Sequence, residues 1–447
     1  MSELIDNRAH RVRALKEIIR HLHEGHAPSE VKARLGALVR ECDASEIASM
    51  EQELMAEGVP VAQIMNMCDL HAAAVREILV DRPSAALPPG HPADTFRREN
   101  AALAAHLAKL RNALAGLGTG AAADAPTPDA VDAAKRLYGE LMDIEKHYQR
   151  KEHLLFTCLE RHGITGPSKV MWGKDDEVRR MLKALGRSMG AAEPTQAAWQ
   201  AISRDAAEPA LAAVEEMIFK EERILLPMAL QNLSEGEWGE IWSQSPQFGF
   251  CLVEPGKGYE PPAAASDVPE VATVEAARSG VTFAPGRGAK LLRLADLSPR
   301  PAQPVETLGA GAIVLPTGSL SLEHLKAIFT VMPVDLTLVG ADDRVKFFSE
   351  GQNRVFARPL TIIGRLVKHC HPPSSVDVVE RILGDFRSGR QDVAEFWIEM
   401  HGRFVHIRYF ALRDEKQTYL GCLEVTQDLT RERTLEGERR LLQYEEA

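Results

Sequence analysis

The sequence lacks several features that would define its class at once. No apolar run approaches the roughly 18 to 20 residues that a membrane-spanning helix needs, and the charged start MSELIDNRAHRVR is unlike a signal peptide. The six cysteines form no CxxC pair, which is evidence against a disulfide framework or an all-cysteine zinc site. These absences predict a cytoplasmic protein with reduced thiols and no membrane span.

Common enzyme signatures are also missing. The chain has no Walker A loop, no GxGxxG after a strand, no GxSxG elbow and no HExxH. Lys and Arg number 53 against 64 Asp and Glu, a formal net charge of -11, so we expect no nucleic-acid partner. These absences favour a protein that is not an enzyme, although the excess of carboxylates beside 15 histidines keeps a metal site open.

The length of 447 residues predicts a multidomain chain. Helical periodicity over residues 1–80 indicates a small all-α domain of short helices, and RPSAALPPG marks its boundary. Four long helical segments then predict a four-helix bundle over 91–245, at 92–117, 128–162, 173–190 and 197–232. Ser234 and Glu237 predict a capping box for a short terminal helix.

The second half of the chain differs from the first in composition and in the period of its apolar residues. Residues 254–318 are rich in Pro, Gly, Ala and Val and predict a linker with room for one strand. Alternating apolar and polar residues then predict five strands, with helical sequence between the second and third, which is typical of an α+β sensor-type domain over 319–430. Residues 431–447 predict a charged helix that pairs with a second copy.

The strongest candidate site lies in the bundle. His147 stands five residues before Glu152, and Glu216 stands five residues before Glu221, with Glu222 beside it. Residues at i and i+4 share a helix face, and an i+5 partner reaches the same centre from the edge of that face. Each pair borders an apolar run, and a buried carboxylate is costly unless it is paired, neutralised or bound to a cation.

The other two helices offer ligands as well. His91 opens the first helix, which also carries Glu99, and Asp175 lies near the start of the third. Facing helices of a bundle are a recurring way to build a metal site. The alternative is that these charges line solvated helix faces and that the site is vestigial.

These residues resemble the hemerythrin-like HHE cation-binding family, whose four-helix bundle holds a diiron site or another metal. The resemblance rests on the His91-Pro92 start, on the KE-plus-apolar segments at 151–156 and 220–226, and on MWGKDDEVRR at 171–180. It implies iron, as a diiron centre, with manganese as the alternative. The implied ligands are His91, His147, Glu152 and Glu221, with Glu99, Asp175, Glu216 and Glu222 as second choices.

The sequence departs from the family pattern in three places, one of which is on the third helix, where Asp175 or Asp176 stands at a position that is often His. That pattern puts Glu four residues after His, whereas Lys151 stands four after His147 and Met217 stands four before Glu221. A site with many carboxylates and two histidines favours a redox-type centre over a reversible oxygen carrier.

Two further resemblances flank the bundle. EQELMAEGVPV followed by CDLHAA resembles a domain of unknown function that precedes such bundles, and 319–428 resembles a PAS domain. PAS pockets hold haem, flavin or small molecules, so His369, Cys370 and His371 are candidates for holding a haem or another PAS ligand. The alternative is that HPPSS forms a turn and an N-cap, with both histidines at the surface.

Together these features predict a signalling protein. Its bundle would sense oxygen, nitric oxide, redox state or iron, and the PAS domain would receive a second cue. The alternatives are a metal-dependent enzyme that reduces nitric oxide or peroxide or repairs iron clusters, and a metal-free interaction scaffold. The expected partners are a second copy, through the PAS domain and the last helix, and an unidentified downstream protein.

Overall fold

The computed structural model describes residues 58–59, 86–119, 125–192, 195–262, 281–282, 312–315, 318–351 and 354–438. The helical domain expected over 1–80 lies almost entirely outside these residues, as does most of the linker. The chain divides into two compact units, the first built on helices and the second on a sheet.

The first unit is a bundle of long helices, two of which change locally from α to π geometry. Four of its described helices are uninterrupted: α1 at Pro92–Leu117, α2 at Pro128–Leu141, α4 at Gly166–Gly190 and α6 at Glu235–Gln244. Helix α3 consists of Ile144–Arg150, a π-helical Lys151–Leu155 and Phe156–Arg161. Helix α5 consists of Gln196–Ile202, a π-helical Ser203–Ala207, Glu208–Lys220, a π-helical Glu221–Leu225 and Leu226–Asn232. A π turn closes i to i+5 hydrogen bonds, so it accommodates an extra residue without ending the helix.

Local signals explain most helix ends. The capping box at the start of α6 is confirmed: Ser234 Oγ accepts from the Glu237 amide, and Glu237 Oε2 accepts from the Ser234 amide at 2.9 Å. The expected start of α4 at residue 173 is wrong. The helix begins at Gly166, because Pro167 is suited to a first turn, where its missing N–H breaks no hydrogen bond. A turn at Met142–Asp143 divides the expected 128–162 helix into α2 and α3.

The bundle core extends past the expected boundary at residue 245. Phe248, Cys251 and Tyr259 are buried in the same apolar cluster as the helices. The returning chain passes so close to Gly90 that a Cβ there would lie 2.3 Å from the carbonyl oxygen of Gly256. Since Gly90 also has a φ of +94°, only glycine suits this crossing.

The second unit is an antiparallel sheet with helices attached. Its elements are β1 at Val281–Thr282, β2 at Ala312–Leu315, β3 at Gly318–Ser321, α7 at Leu322–Val331, β4 at Asp335–Gly340, β5 at Val345–Phe348, α8 at Pro373–Ser388, β6 at Val393–Met400, β7 at Arg403–Asp414 and β8 at Tyr419–Asp428. The main sheet has the order β1-β7-β8-β4-β5, and β6 pairs with β7. The five predicted strands are β4 to β8, and α8 lies between the second and third of them as expected.

Two expectations at the edges of this unit differ from the structure. The described part of the linker includes β1, β2 and the first residue of β3, where one strand was expected. Residues 431–438 hold a 3-10 turn at Glu432–Thr434 and no α-helix, and the rest of the expected C-terminal helix lies outside the described residues. Within the described ranges, no helix combines the length and apolarity of a membrane span. The cytoplasmic location stays a prediction.

Candidate functional site

Five of the predicted ligand residues meet in the bundle core. Each is 2% exposed or less, and together they come from four helices: Glu99 of α1, His147 and Glu152 of α3, Asp175 of α4 and Glu221 of α5. These five side chains are therefore buried and close to one another, and they do not line a solvated helix face.

His147 joins two of the carboxylates. Its Nδ1 lies 2.8 Å from Glu99 Oε2, and its Nε2 lies 2.7 Å from Glu221 Oε2. Burial lowers the pKa of His147, but Glu221 and Glu99 outweigh burial and raise it to about 8. Burial alone would raise the pKa of Glu221, but the charges and hydrogen bonds of Lys151 and His147 outweigh burial and lower it to about 2. At neutral pH His147 is therefore an imidazolium that donates to a carboxylate from each ring nitrogen.

Lys151 lies among the same side chains and is 0% exposed. Its Nζ donates to Asp175 Oδ1 at 2.7 Å and to Glu221 Oε1 at 2.5 Å, and it lies 4.2 Å from the ring centroid of Tyr148. Burial lowers the pKa of this ammonium, but Asp175 and Glu221 outweigh burial and raise it. Lys151 thus carries a full positive charge in the centre of the bundle.

The spacing along α3 explains this placement. His147 and Lys151 stand four residues apart on one face, and they hold the two oxygens of Glu221 between them. Glu152 follows inside the π turn, and its side chain is directed to Arg179 of α4. Arg179 Nη1 donates to Glu152 Oε1 at 2.7 Å, and Arg179 Nη2 donates to Glu152 Oε2 at 2.9 Å. The two α3 residues that share Glu221 are therefore a histidine and a lysine.

Two more groups complete the pairing at Glu99. Arg150 Nη2 donates to Glu99 Oε2, and the backbone N–H of Cys251 donates to Glu99 Oε1 at 2.6 Å. Burial raises the pKa of Glu99, but the bonds and charges of His147 and Arg150 outweigh burial and lower it. Sequence reasoning missed Arg150, Arg179 and Cys251, although Arg150 precedes Lys151 directly and Arg179 lies one helical turn after Asp175.

The remaining two acids are strongly influenced by burial. Burial raises the pKa of Asp175 well above its ordinary value, opposed by Lys151 and reinforced by Glu152. Burial also raises the pKa of Glu152, with Arg179 opposing it. Asp175 and Glu152 are therefore the acids of the cluster that most readily take up a proton.

The residues as arranged do not fit a metal ion. A metal ligand must present a free lone pair, but both nitrogens of His147 donate to carboxylates, and Lys151 or an arginine covers each acid. Over the part of the chain that the structure describes, no group of three or more His, Cys, Asp and Glu side chains is positioned to hold a metal. The arrangement is instead a buried ion-pair network.

Three predicted ligands lie apart from this network. His91 is the N-cap of α1, where Nδ1 accepts from the Ala93 amide at 3.1 Å, and its ring packs 4.8 Å from both Trp238 and Tyr259. Glu222 accepts from Asn100 at 3.1 Å. Glu216 lies 3.8 Å from Lys220 Nζ, one turn along α5. The structure therefore does not bring His91, Glu216 or Glu222 to a common centre.

A second site is a cavity of about 130 Å³ inside the sheet unit. Its wall is mainly apolar, and its polar members lie on α8, on the strands β7 and β8 and just before α8: Ser375, Tyr409, Cys422, Glu424 and His371. Of the three predicted PAS-ligand residues only His371 lines this cavity. Cys370 is buried, with its Sγ 3.8 Å from the Leu366 carbonyl oxygen, and it packs in a separate apolar cluster.

The polar end of this cavity is electrostatically unusual. Burial lowers the pKa of His371 to about 4, and the charge of Arg358 adds to that effect. Burial raises the pKa of Tyr409 well above its ordinary value. Glu424 accepts from Arg358 at 3.3 Å and from Thr426 at 3.2 Å. His371 and Tyr409 are therefore neutral at pH 7, and each provides one hydrogen-bonding group to the cavity.

Comparison with known proteins assigns families to three parts of the chain. Residues 15–81 match a family of unknown function (DUF438), residues 91–229 match the hemerythrin HHE cation binding domain, and residues 325–430 match a PAS domain. No curated protein matches the chain. One similar solved structure is a C-terminal domain from Streptococcus mutans, 30% identical over 28% of this chain and 97% of that chain. Its TM-score of 0.27 is too low to support an argument.

Residues 91–229 of the chain therefore form a hemerythrin HHE cation-binding domain. The chain joins the bundle to an N-terminal domain of unknown function and to a C-terminal PAS domain, as the sequence predicted. The predicted multidomain fold, with a helical bundle followed by an α+β PAS domain, is confirmed. This combination of domains suggests a sensor or signalling protein.

Proposed function

We propose that this chain is a sensor protein whose PAS cavity binds a small neutral molecule and passes that signal on through a protein partner. The observation that carries the proposal is the half-buried His371 at the wall of an otherwise mainly apolar cavity. Ligand sites are typically apolar pockets in which a few polar groups fix the orientation of the ligand. His371 and Tyr409 are such groups.

The volume restricts the ligand. A cavity of about 130 Å³ is smaller than the roughly 300–1,000 Å³ of pockets that hold drug-sized ligands. It favours a compact molecule with an apolar body and one hydrogen-bonding group, and a haem would require the cavity to widen considerably. The haem predicted from His369, Cys370 and His371 is therefore the less favoured ligand.

Filling the cavity should abolish ligand binding. Val379 of α8 lines the cavity, so we expect Val379→Trp to remove the binding of small neutral heterocycles detected by ligand-observed NMR on the full chain. Val331→Trp is the matched control, because Val331 is 76% exposed in the same unit. Binding of the same heterocycles to Val379→Trp, or to neither wild type nor control, would contradict the proposed site.

The neutral state of His371 predicts a pH dependence. Its pKa is 6.5 in the unfolded chain and about 4 in the folded protein, so between these values only the unfolded state takes up the proton. The PAS domain should therefore lose stability as the pH falls from 6.5 to 4, by about 3 kcal/mol in total. Hydrogen exchange of the β7 and β8 amides measures this loss.

The matched variants for that measurement are His371→Gln and His324→Gln. The first removes the half-buried imidazole of the cavity wall, so its exchange should change less between pH 6.5 and 4 than that of wild type. The second removes an exposed imidazole of α7 and should behave as wild type does. An unchanged pH dependence in His371→Gln would show that another group is responsible.

Iron in the bundle is the second candidate for the sensed or sensing species. The HHE family and the convergence of Glu99, His147 and Glu221 support it. Against it stands Lys151, whose ammonium lies between Asp175 and Glu221. The diiron centre, the manganese alternative and the associated sensing or redox chemistry stay predictions.

The expected homodimer is also part of this proposal. Strand β6 pairs, among the described residues, only with β7, and it exposes Phe396, Trp397 and Ile398. An edge strand with exposed apolar side chains is a ready surface for a second chain. We expect Trp397→Asp to shift the protein from dimer to monomer in sedimentation velocity, with Val331→Asp as the exposed apolar control, and a monomeric wild type would contradict the dimer.

A further inference from the structure

The position of Lys151 carries an inference that goes beyond the proposed function of the PAS cavity. An ammonium that is 0% exposed and within hydrogen-bond distance of two carboxylates from different helices acts as a cation that links those helices. It donates to Asp175 of α4 and to Glu221 of α5 from its own place on α3. A metal ion in a bundle core would make the same kind of link.

The acids and the basic groups around Lys151 are equal in number. Four buried carboxylates meet four basic groups, and each basic group contacts at least one of the acids: Glu99, Glu152, Asp175 and Glu221 against His147, Arg150, Lys151 and Arg179. A divalent ion added to this set would be close to three permanent cations. In a medium of low effective dielectric such repulsion is strong.

The lone pairs of Glu221 and His147 that a metal needs are also in use, whereas Asp175 Oδ2 accepts no hydrogen bond. The oxygens of Glu221 accept one from His147 and one from Lys151, and His147 donates its other N–H to Glu99. An entering ion would have to break these bonds and leave an ammonium buried without its partners. A buried charge left without its partners is strongly destabilising.

We propose that the Lys151 ammonium is the resident cation of this bundle, and that it occupies the place where a divalent metal would otherwise bind. The HHE fold in this chain is then stable without metal. Removing the ammonium should leave Asp175 and Glu221 facing an unfilled space, and carboxylate oxygens are ligands that Mn²⁺ accepts.

The test uses the full chain with Mn²⁺ as the only added metal. We expect Lys151→Ala to bind Mn²⁺ at least about tenfold more tightly than wild type, measured by the loss of the free-ion electron paramagnetic resonance signal. Mn²⁺ should also raise the thermal unfolding midpoint of Lys151→Ala and leave that of wild type unchanged. Lys146→Ala is the control, since Lys146 is half-exposed on the same helix.

A second measurement does not depend on the folding of the variant. Dialysis of wild type against a chelator should leave the unfolding midpoint of the bundle unchanged. A fall in that midpoint, restored by a divalent metal and absent in Glu221→Gln, would overturn the proposal. So would a folded Lys151→Ala variant that binds Mn²⁺ no better than wild type. Neither result bears on the PAS cavity, which the Val379→Trp experiment tests separately.

Discussion

Replacing Lys151 with Met should lower the free energy of unfolding of the bundle by about 3–5 kcal/mol at pH 7, because removing one partner of a buried ion pair leaves the other charge uncompensated. Met matches the length of the lysine side chain and removes its charge. Lys151 is 0% exposed, and both of its acidic partners are buried. Denaturant unfolding followed by tryptophan fluorescence measures the change, because four of the five tryptophans belong to the helical unit: Trp172, Trp199, Trp238 and Trp242.

Two further variants serve as comparisons for Lys151→Met. Lys146→Met removes a half-exposed lysine of the same helix and should change the free energy of unfolding by less than about 0.5 kcal/mol. Lys151→Met combined with Asp175→Asn should recover part of the loss, because removing both partners costs less than removing one. A loss below about 1 kcal/mol in Lys151→Met would show that the ammonium contributes little to the bundle.

Glu99→Gln should destabilise the bundle to a similar extent, by about 3–5 kcal/mol. Glu99 is 0% exposed and receives hydrogen bonds from Arg150, His147 and the backbone of Cys251. Gln preserves the shape and one acceptor oxygen, but its neutral amide leaves two buried cations without their anion. The same fluorescence-monitored unfolding measures the loss.

The matched control for that variant is Glu140→Gln. The Glu140 side chain is 59% exposed, so its replacement should stay within about 0.5 kcal/mol of wild type. Equal effects in Glu99→Gln and Glu140→Gln would contradict the account, because they would mean that the buried carboxylate is no more important than a surface one.

The sheet unit was the easier part to predict from the sequence. Strand β7, for example, alternates buried and less buried residues along Arg403–Asp414, and this period of two is visible in RFVHIRYFALR. Its pairing with β8 keeps one register from Val405 to Leu412. What the sequence did not indicate was β1 and the β2–β3 pair, which are too short to leave a periodic signal.

In the bundle, the sequence indicates which charged residues are buried but not how those charges pair. The burial of Glu99, His147 and Glu221 follows from apolar neighbours at helical spacing, which a sequence displays. The π turns at Lys151–Leu155 and Glu221–Leu225 leave no comparable pattern in the sequence. They nevertheless affect which side chain of α3 reaches Glu221, and in the structure that side chain is Lys151 and not Glu152. A lysine beside a predicted ligand is normally a surface residue, and only the fold shows it buried.

For both His91 and His371, the position of the side chain differs from the one that the sequence favoured. His91 precedes a proline at a helix start, where a side-chain acceptor caps the first turn, and the structure uses it in this way. His371 belongs to a turn-like HPPSS sequence that favoured a surface position, yet its ring lines a cavity. The position of His371 depends on β7 and β8, which form part of the same cavity wall and lie further along the chain.

A diffraction measurement shows directly whether the Lys151 ammonium or a metal ion occupies the centre of the bundle. Crystals of the full chain grown with excess MnCl₂ would be measured at a wavelength where manganese scatters anomalously. The account predicts no anomalous peak in the bundle core, with Lys151 Nζ within hydrogen-bond distance of Asp175 and Glu221. A peak bound by Glu221 and His147, with Lys151 displaced from both carboxylates, would contradict it.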